Sequence, residues 1–332
     1  MIAVVVPDDI DGVPSGGNVY DRRVLQVSGW DELRVPVEDA RALADVLRGV
    51  PDGGSVLVDG LVGGRFPAVL AAHAARLRLV PLVHLPLADE RGLSAGRAHE
   101  LRELETAALG HAAAVATTSR WTADRVVAVH GVDPARVVVA PPGVDPAPPA
   151  PGSAVAGVRP RLLCLGALTP TKGQDLLVDA LAGLRAQDWT CSLVGPLTRD
   201  PGFVASLRAR VIAHGLADRV TVTGPLVGDR LRPVWAATDL LVVPSRTETF
   251  GMVVPEALAR GIPVLAADVG GVREAGPTAL VPAENVGALA AALRHWLADP
   301  VRRSGWRISA WARRGTLPSW ITTVHRLRRA LA

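Results

Sequence analysis

The stretch Leu240-Leu-Val-Val-Pro-Ser-Arg-Thr-Glu248-Thr-Phe-Gly-Met-Val-Val-Pro-Glu256 carries a strand, a loop and a helix start. Four consecutive apolar residues, Leu240 to Val243, read as a strand buried on both faces, as in a parallel sheet covered by helices. Pro255 has no N–H and is tolerated only in a helix's first turn, so the next helix starts no earlier than about Met252. The loop between them leaves the C-terminal edge of the strand, where open α/β sheets bind ligands. The amides of Gly251, Met252 and Val253 precede the first intrahelical bonds and suit an anion such as a diphosphate. Glu248 lies before the helix and Glu256 inside it, so both can flank one ligand, each accepting two hydroxyls of a vicinal diol. Spacing alone supports equally well a helix-dipole role for Glu256 and a solvated one for Glu248.

The same strand-helix unit recurs outward in both directions. Towards the C-terminal side of the chain's middle, strands are predicted at 162–165, 190–194, 220–223, 240–243 and 264–266. Helices are predicted between and after them at 174–184, 203–214, 230–237, 253–259 and 286–298. Nearer the start, strands at 2–6, 55–58, 79–84, 113–117 and 137–139 alternate with helices at 20–27, 37–48, 67–75, 96–109 and 121–129. The break is Pro141-Pro-Gly-Val-Asp-Pro146 followed by Pro148, Pro149, Pro151 and Gly152, which can form neither regular element. The chain is long enough for two such domains. The expectation is therefore an α/β protein of two Rossmann-like parallel-sheet domains facing each other across a cleft, over 1–146 and 147–317. A last helix over 318–332 is expected to pack back on the first domain.

Other segments compete for chemistry. Gly166-Ala-Leu-Thr-Pro-Thr-Lys172-Gly173 follows a predicted strand and puts a cation ahead of a helix, which is unfavourable unless an anion is present. Lys172 is therefore a phosphate-binding candidate, although the segment lacks the Walker A pattern. Ser15-Gly16-Gly17-Asn18 reads as a glycine loop that lets a ligand approach Gly16 and Gly17 closely. His84 ends an apolar run and is placed at a strand tip. The remaining histidines show no metal-ligand spacing and no DxD pair stands at a strand end, so no metal is expected. Cys164 and Cys191 sit in apolar runs and read as core residues.

The net charge is +4. Its excess includes Arg302, Arg303, Arg307, Arg313, Arg314, Arg326, Arg328 and Arg329, scattered and without interleaved stacking aromatics. That pattern argues against nucleic acid, favours a solvated basic face and leaves peripheral membrane contact open. No window is apolar enough for a transmembrane helix and no basic region stands ahead of the first apolar run, so a cytoplasmic protein is expected. Oligomeric state is not readable.

With these residues in view, the chain resembles the GT-B retaining glycosyltransferases of family 4. The motif is Glu248, seven residues, Glu256. Val243-Pro-Ser245 before it, Gly261-Ile-Pro-Val264 with Gly270-Gly271 and Glu274 after it, and Gly143-Val-Asp145 add support. The resemblance implies that Glu248 contacts the donor sugar, Glu256 the donor ribose, and Phe250, Gly251, Met252 and Val253 the diphosphate. Gly166 and Lys172 would lie at the phosphates, Gly16 and Gly17 near the donor, and His84 at the transferred sugar. His84, Lys172 and Glu248 are thus the expected catalytic residues. One departure stands out: Ala167 occupies a position where the family usually has Arg, with Arg120 and Arg246 as candidate substitute cations.

The implied reaction is metal-independent transfer of a hexosyl group from a nucleotide diphosphate sugar to a hydroxyl of a small-molecule or lipid acceptor, with no cofactor. UDP-sugars are slightly favoured over GDP-mannose. The competing readings are an inactive sugar-nucleotide sensor and a related GT-B epimerase or phosphorylase. A dehydrogenase is disfavoured because the first turn lacks GxGxxG.

Overall fold

The computed structural model describes residues 1–12, 15–153 and 159–332. The chain divides into two compact units, Met1–Gly143 with Pro318–Ala332 (unit 1) and Val144–Leu317 (unit 2). The division falls three residues before the expected boundary at 146.

Unit 1 is built on β1 (Ile2–Pro7), β2 (Asp31–Val35), β3 (Ser55–Asp59), β4 (Arg78–Val83), β5 (Val115–Thr117) and β6 (Val137–Val139). They pair in the order β2-β1-β3-β4-β5-β6, all parallel. Strand β2 is a short edge strand whose sequence, DELRV, is mostly exposed, so it lacks the apolar run that marks its neighbours. The first helix corrects the sequence reading. It spans Gly16–Ser28, so Gly16 and Gly17 form its first turn and there is no glycine loop. Ser15 Oγ accepts the Asn18 amide at 3.1 Å, and Gly29, with φ 65°, ends the helix in the left-handed conformation.

Helix Trp320–Leu331 belongs to unit 1. Thr323 donates to the Pro141 carbonyl at 2.7 Å, while the Leu331 and Ala330 carbonyls accept from Ser55 (2.8 Å) and Arg78 (2.9 Å). Trp320 meets Tyr20 edge-on at 5.5 Å. A Cβ on Gly143 would lie 2.2 Å from the Trp320 nitrogen, so only glycine lets the chain pass the start of this helix.

Unit 2 comprises β7 (Arg161–Leu165), β8 (Thr190–Val194), β9 (Val220–Thr223), β10 (Leu240–Val243), β11 (Val264–Ala267) and β12 (Ala279–Val281), ordered β12-β11-β10-β7-β8-β9 and all parallel. One face is covered by helices Gln174–Ala182 and Val286–Ala298, with Trp189 and Trp296 fully buried against Leu177, Leu181 and Leu293. Cys164 and Cys191 are free and buried there, and desolvation pushes the Cys164 thiol up to about 12.

Helix Pro300–Arg314, unmarked in the sequence reading, explains much of the basic third. Arg303 donates to Leu297, Arg307 to Ala150, Arg313 to Gly276, and Arg314 to Ala259 and Ala147, in every case to a backbone carbonyl. These four arginines tie the helix to neighbouring backbone segments, which corrects their assignment to a merely solvated face. No helix among the described residues is long and apolar enough to cross a membrane.

Candidate functional site

In unit 2 the loops leaving the C-terminal ends of β7, β8 and β10 meet backbone to backbone. A Cβ on Gly195 would lie 1.9 Å from the Gly166 carbonyl oxygen, and one on Gly173 2.1 Å from that of Pro244. Gly270, with φ 52°, would place a Cβ 1.9 Å from the Glu248 carbonyl oxygen, which accepts the Gly271 amide at 3.0 Å. The Arg246 amide donates to Thr171 at 2.8 Å. Glycine is required where two of these loops cross, and the crossing fixes the side chains above them.

The consequence is an ion pair: Lys172 Nζ lies 2.7 Å from Glu248 Oε2, which also accepts from Ser245 Oγ at 3.3 Å. The lysine side chain is one-third exposed and the glutamate 12% exposed. The electrostatic conflict of a lysine ahead of helix Gln174–Ala182 is thus met inside the unit, by Glu248. Such a half-open pair has a small net energy, so a stronger anion can displace the carboxylate without unfolding anything.

Two other assignments change. Arg246 is not available as a substitute cation: its guanidinium grips both Asp175 oxygens at 2.9 and 2.7 Å, the Pro170 carbonyl at 2.6 Å and Glu284 at 3.2 Å. It locks the Lys172 loop to the β10 loop. The Phe250 ring packs into the apolar core with Val254, Leu258 and Val272, so only its backbone is left for a ligand. Gly251 (φ 84°) turns the chain into the helix Val253–Leu258, past half-buried Met252 and Val253. That helix has only six residues, which limits what its dipole contributes. Glu256 lies in its first turn, where desolvation, opposed by Arg260 and assisted by Asp145, raises its carboxyl to about 7. Arg260 in turn stacks over Trp235 at 4.7 Å.

In unit 1, His84 follows β4 and its Nε2 lies 3.0 Å from Asp21 Oδ1 and 3.5 Å from Asp59 Oδ2. Both aspartates are buried, at 1% and 5% exposure. Burial disfavours the imidazolium, but the two carboxylates outweigh it and raise His84 to about 10. Burial likewise raises Asp21 to about 7, against the pull of His84, while the His84 bond holds Asp59 below the usual carboxylate range despite its burial. Gly17 packs flat against the ring: a Cβ there would sit 3.2 Å from His84 Cδ2. Sequence reasoning missed Asp21 and Asp59. A signal existed, because Tyr20, Asp21, Val24 and Leu25 form the buried stripe of their helix and a carboxylate does not belong there unpartnered. One donor atom from each of these three residues, Asp21, Asp59 and His84, lies within 4.8 Å of the others, a spacing at which such groups could hold a metal ion. Arg120, the other candidate cation, is exposed at the start of helix Arg120–His130 in unit 1.

Two six-stranded parallel sheets, each with its polar residues at C-terminal strand ends, define the GT-B glycosyltransferase fold. The chain superposes on sucrose-phosphate synthase from Thermosynechococcus elongatus with a TM-score of 0.79, at 23% identity and over 99% of this chain and 97% of that one. It superposes on Anabaena HepE in complex with UDP and glucose with a TM-score of 0.81, at 20% identity over 99% and 98%. Residues 159–299 match the family described as glycosyl transferases group 1, and residues 33–148 match glycosyltransferase family 4. The chain belongs to glycosyltransferase family 4. It is 38% identical over 226 residues to a D-inositol 3-phosphate glycosyltransferase of Kineococcus radiotolerans, covering 60% of this chain and 52% of that protein. It is 34% identical over 248 residues to the protein of the same name from Rhodococcus opacus, covering 67% and 55%. The chain thus spans about half the length of the curated relatives it matches.

Proposed function

We propose that this chain is a retaining hexosyltransferase that uses a nucleotide diphosphate sugar and needs neither metal nor cofactor. The observation that carries the reading is the Lys172–Glu248 pair, held at 2.7 Å by glycine-tight loops at the ends of β7 and β10. A diphosphate arriving beside Lys172 takes over the ammonium and releases Glu248, whose carboxylate is then available to the donor sugar's hydroxyls. As the bond between sugar and phosphate breaks, charge accumulates on the leaving diphosphate, and Lys172 stabilises it more than it does the ground state. Glu256 takes the ribose hydroxyls, with Gly251 to Val253 at the diphosphate. The leaving phosphate accepts the acceptor's proton on the same face, which keeps the anomeric configuration. Within unit 1, His84 offers a ring edge to a sugar hydroxyl.

The names of the relatives support a small phosphorylated polyol as acceptor, and D-inositol 3-phosphate is the first to try. A thermal-shift screen of UDP-, GDP-, ADP- and dTDP-sugars selects the donor, since a ligand binding only the folded chain raises its melting temperature. Transfer is then followed with the best donor in the presence of EDTA, and the anomeric coupling of the product is read by NMR. Inverted product or abolition by EDTA overturns the corresponding part. Tight binding without transfer or donor hydrolysis, across a broad acceptor panel, would instead identify a sugar-nucleotide sensor, the reading that Ala167 favours.

A further inference from the structure

We infer that Asp21 and Asp59 are positioning residues that clamp His84 by its Nε2 proton as an imidazolium, leaving Nδ1–H to act on a substrate hydroxyl as a donor and not as a base. The geometry fixes the first half. Two carboxyl groups face one ring nitrogen at 3.0 and 3.5 Å, and Asp59, held in its ionised form, can only accept, so Nε2 carries the proton. Asp59 is further committed by accepting the Leu61 amide at 2.7 Å. Asp21 Oδ2 is buried and has no partner among the described residues. A buried carboxylate with one bare oxygen is tolerated only beside a positive charge or when protonated itself.

The second half follows from what surrounds the ring. Asp21 faces it from helix Gly16–Ser28, Asp59 from the end of β3, and Tyr20 meets it edge-on at 5.2 Å while donating its own hydroxyl to Ala140. Arg326 of the C-terminal helix acts on Tyr20. None of the hydrogen bonds described uses Nδ1. One-fifth of the side chain stays exposed, enough for a ring edge to meet a ligand. An imidazolium held so has no lone pair to offer, which separates it from a histidine poised to take a proton. The inference about the proton stands by itself, whereas its effect on substrate rests on the proposed transfer reaction.

Nitrogen-15 ring spectra of the full chain, with His84→Gln identifying the signals, test the first part without any substrate. The expected result is imidazolium shifts at both nitrogens from pH 5.5 to 8.5, and a titration midpoint lower by a unit or more in both Asp21→Asn and Asp59→Asn. A wild-type midpoint below 7, indifference to both substitutions, or spectral changes on adding Zn2+ or EDTA would overturn it. For the second part, kcat/KM of the wild type is expected to show no histidine limb between pH 5.5 and 8.5. In Asp21→Asn it should fall at least tenfold above the new midpoint. A variant whose ring titrates while its rate stays flat overturns the donor role and leaves the clamp standing.

Discussion

Each unit sets a basic nitrogen against carboxylates near a C-terminal strand end, but with different stoichiometry and depth. Unit 2 pairs one lysine with one glutamate in a half-open position, backed by a serine hydroxyl. Unit 1 sets two buried aspartates on one histidine. The first is exchangeable, because water and ligand can each replace the partner at little cost. The second cannot be opened without leaving a bare charge in the core, where removing one partner typically costs about 3–5 kcal/mol. One chain thus holds a switchable ion pair and a locked one.

The harshest way to break this contrast is Lys172→Ala. Turnover should fall about 10²–10³-fold with the circular dichroism and melting curve nearly unchanged. Near-normal turnover would make the pair a structural ornament. Glu248→Gln sharpens it further. Transfer should drop about 10²-fold, yet UDP should bind as tightly as to wild type or several-fold tighter, because Lys172 no longer has an internal anion to surrender. Parallel loss of binding and turnover would show that the glutamate supports the loop and does not compete with the ligand.

Stability against pH compares the units without substrate. His84 is raised to about 10, so its stabilising share is complete below about pH 6.5 and is lost as pH rises through 10. Asp21 and Glu256, each raised to about 7, lose theirs as pH rises from about 4 through 7. The melting temperature is therefore expected to decline from pH 5 to pH 10. Asp21→Asn should flatten the part of the decline near 7 that comes from unit 1, and Glu256→Gln the part from unit 2, with stability at pH 8 higher in the latter by roughly 1 kcal/mol or more. A decline unchanged in both variants would sink the linkage. The smallest effect is reserved for Ala167→Arg, which restores the cation expected beside Gly166. It should tighten UDP binding by a few-fold in calorimetry, and weaker binding would mean that the position has no room for the charge.

Much of this arrangement is legible in the residues. The strands Thr190–Val194, Val220–Thr223 and Leu240–Val243 and the helix Val286–Ala298 lie where apolar runs and periodicity put them, because buried parallel strands and amphipathic helices write strong local signals. Lys172 and Glu248 were singled out separately, from loops 76 residues apart, and the structure joins them. What stayed hidden depends on distant partners. Arg246 looks like a free cation until Asp175, 71 residues earlier, takes both ends of its guanidinium. Asp21 has meaning only once His84 faces it. The glycine pair at Gly16 and Gly17 misled because glycine marks both loops and close packing, and only the ring against Gly17 tells which applies. Strand β2 is polar because it is an edge, so its sequence resembles a loop.

The helix Trp320–Leu331 has a bearing on biosynthesis. Unit 1 is opened by residues 1–143, made before unit 2, and completed by residues 318–332, made after it. Domains tend to fold in the order in which they emerge from the ribosome. Here the continuous second unit can finish while the first still waits, with Tyr20 uncovered, for its closing tryptophan.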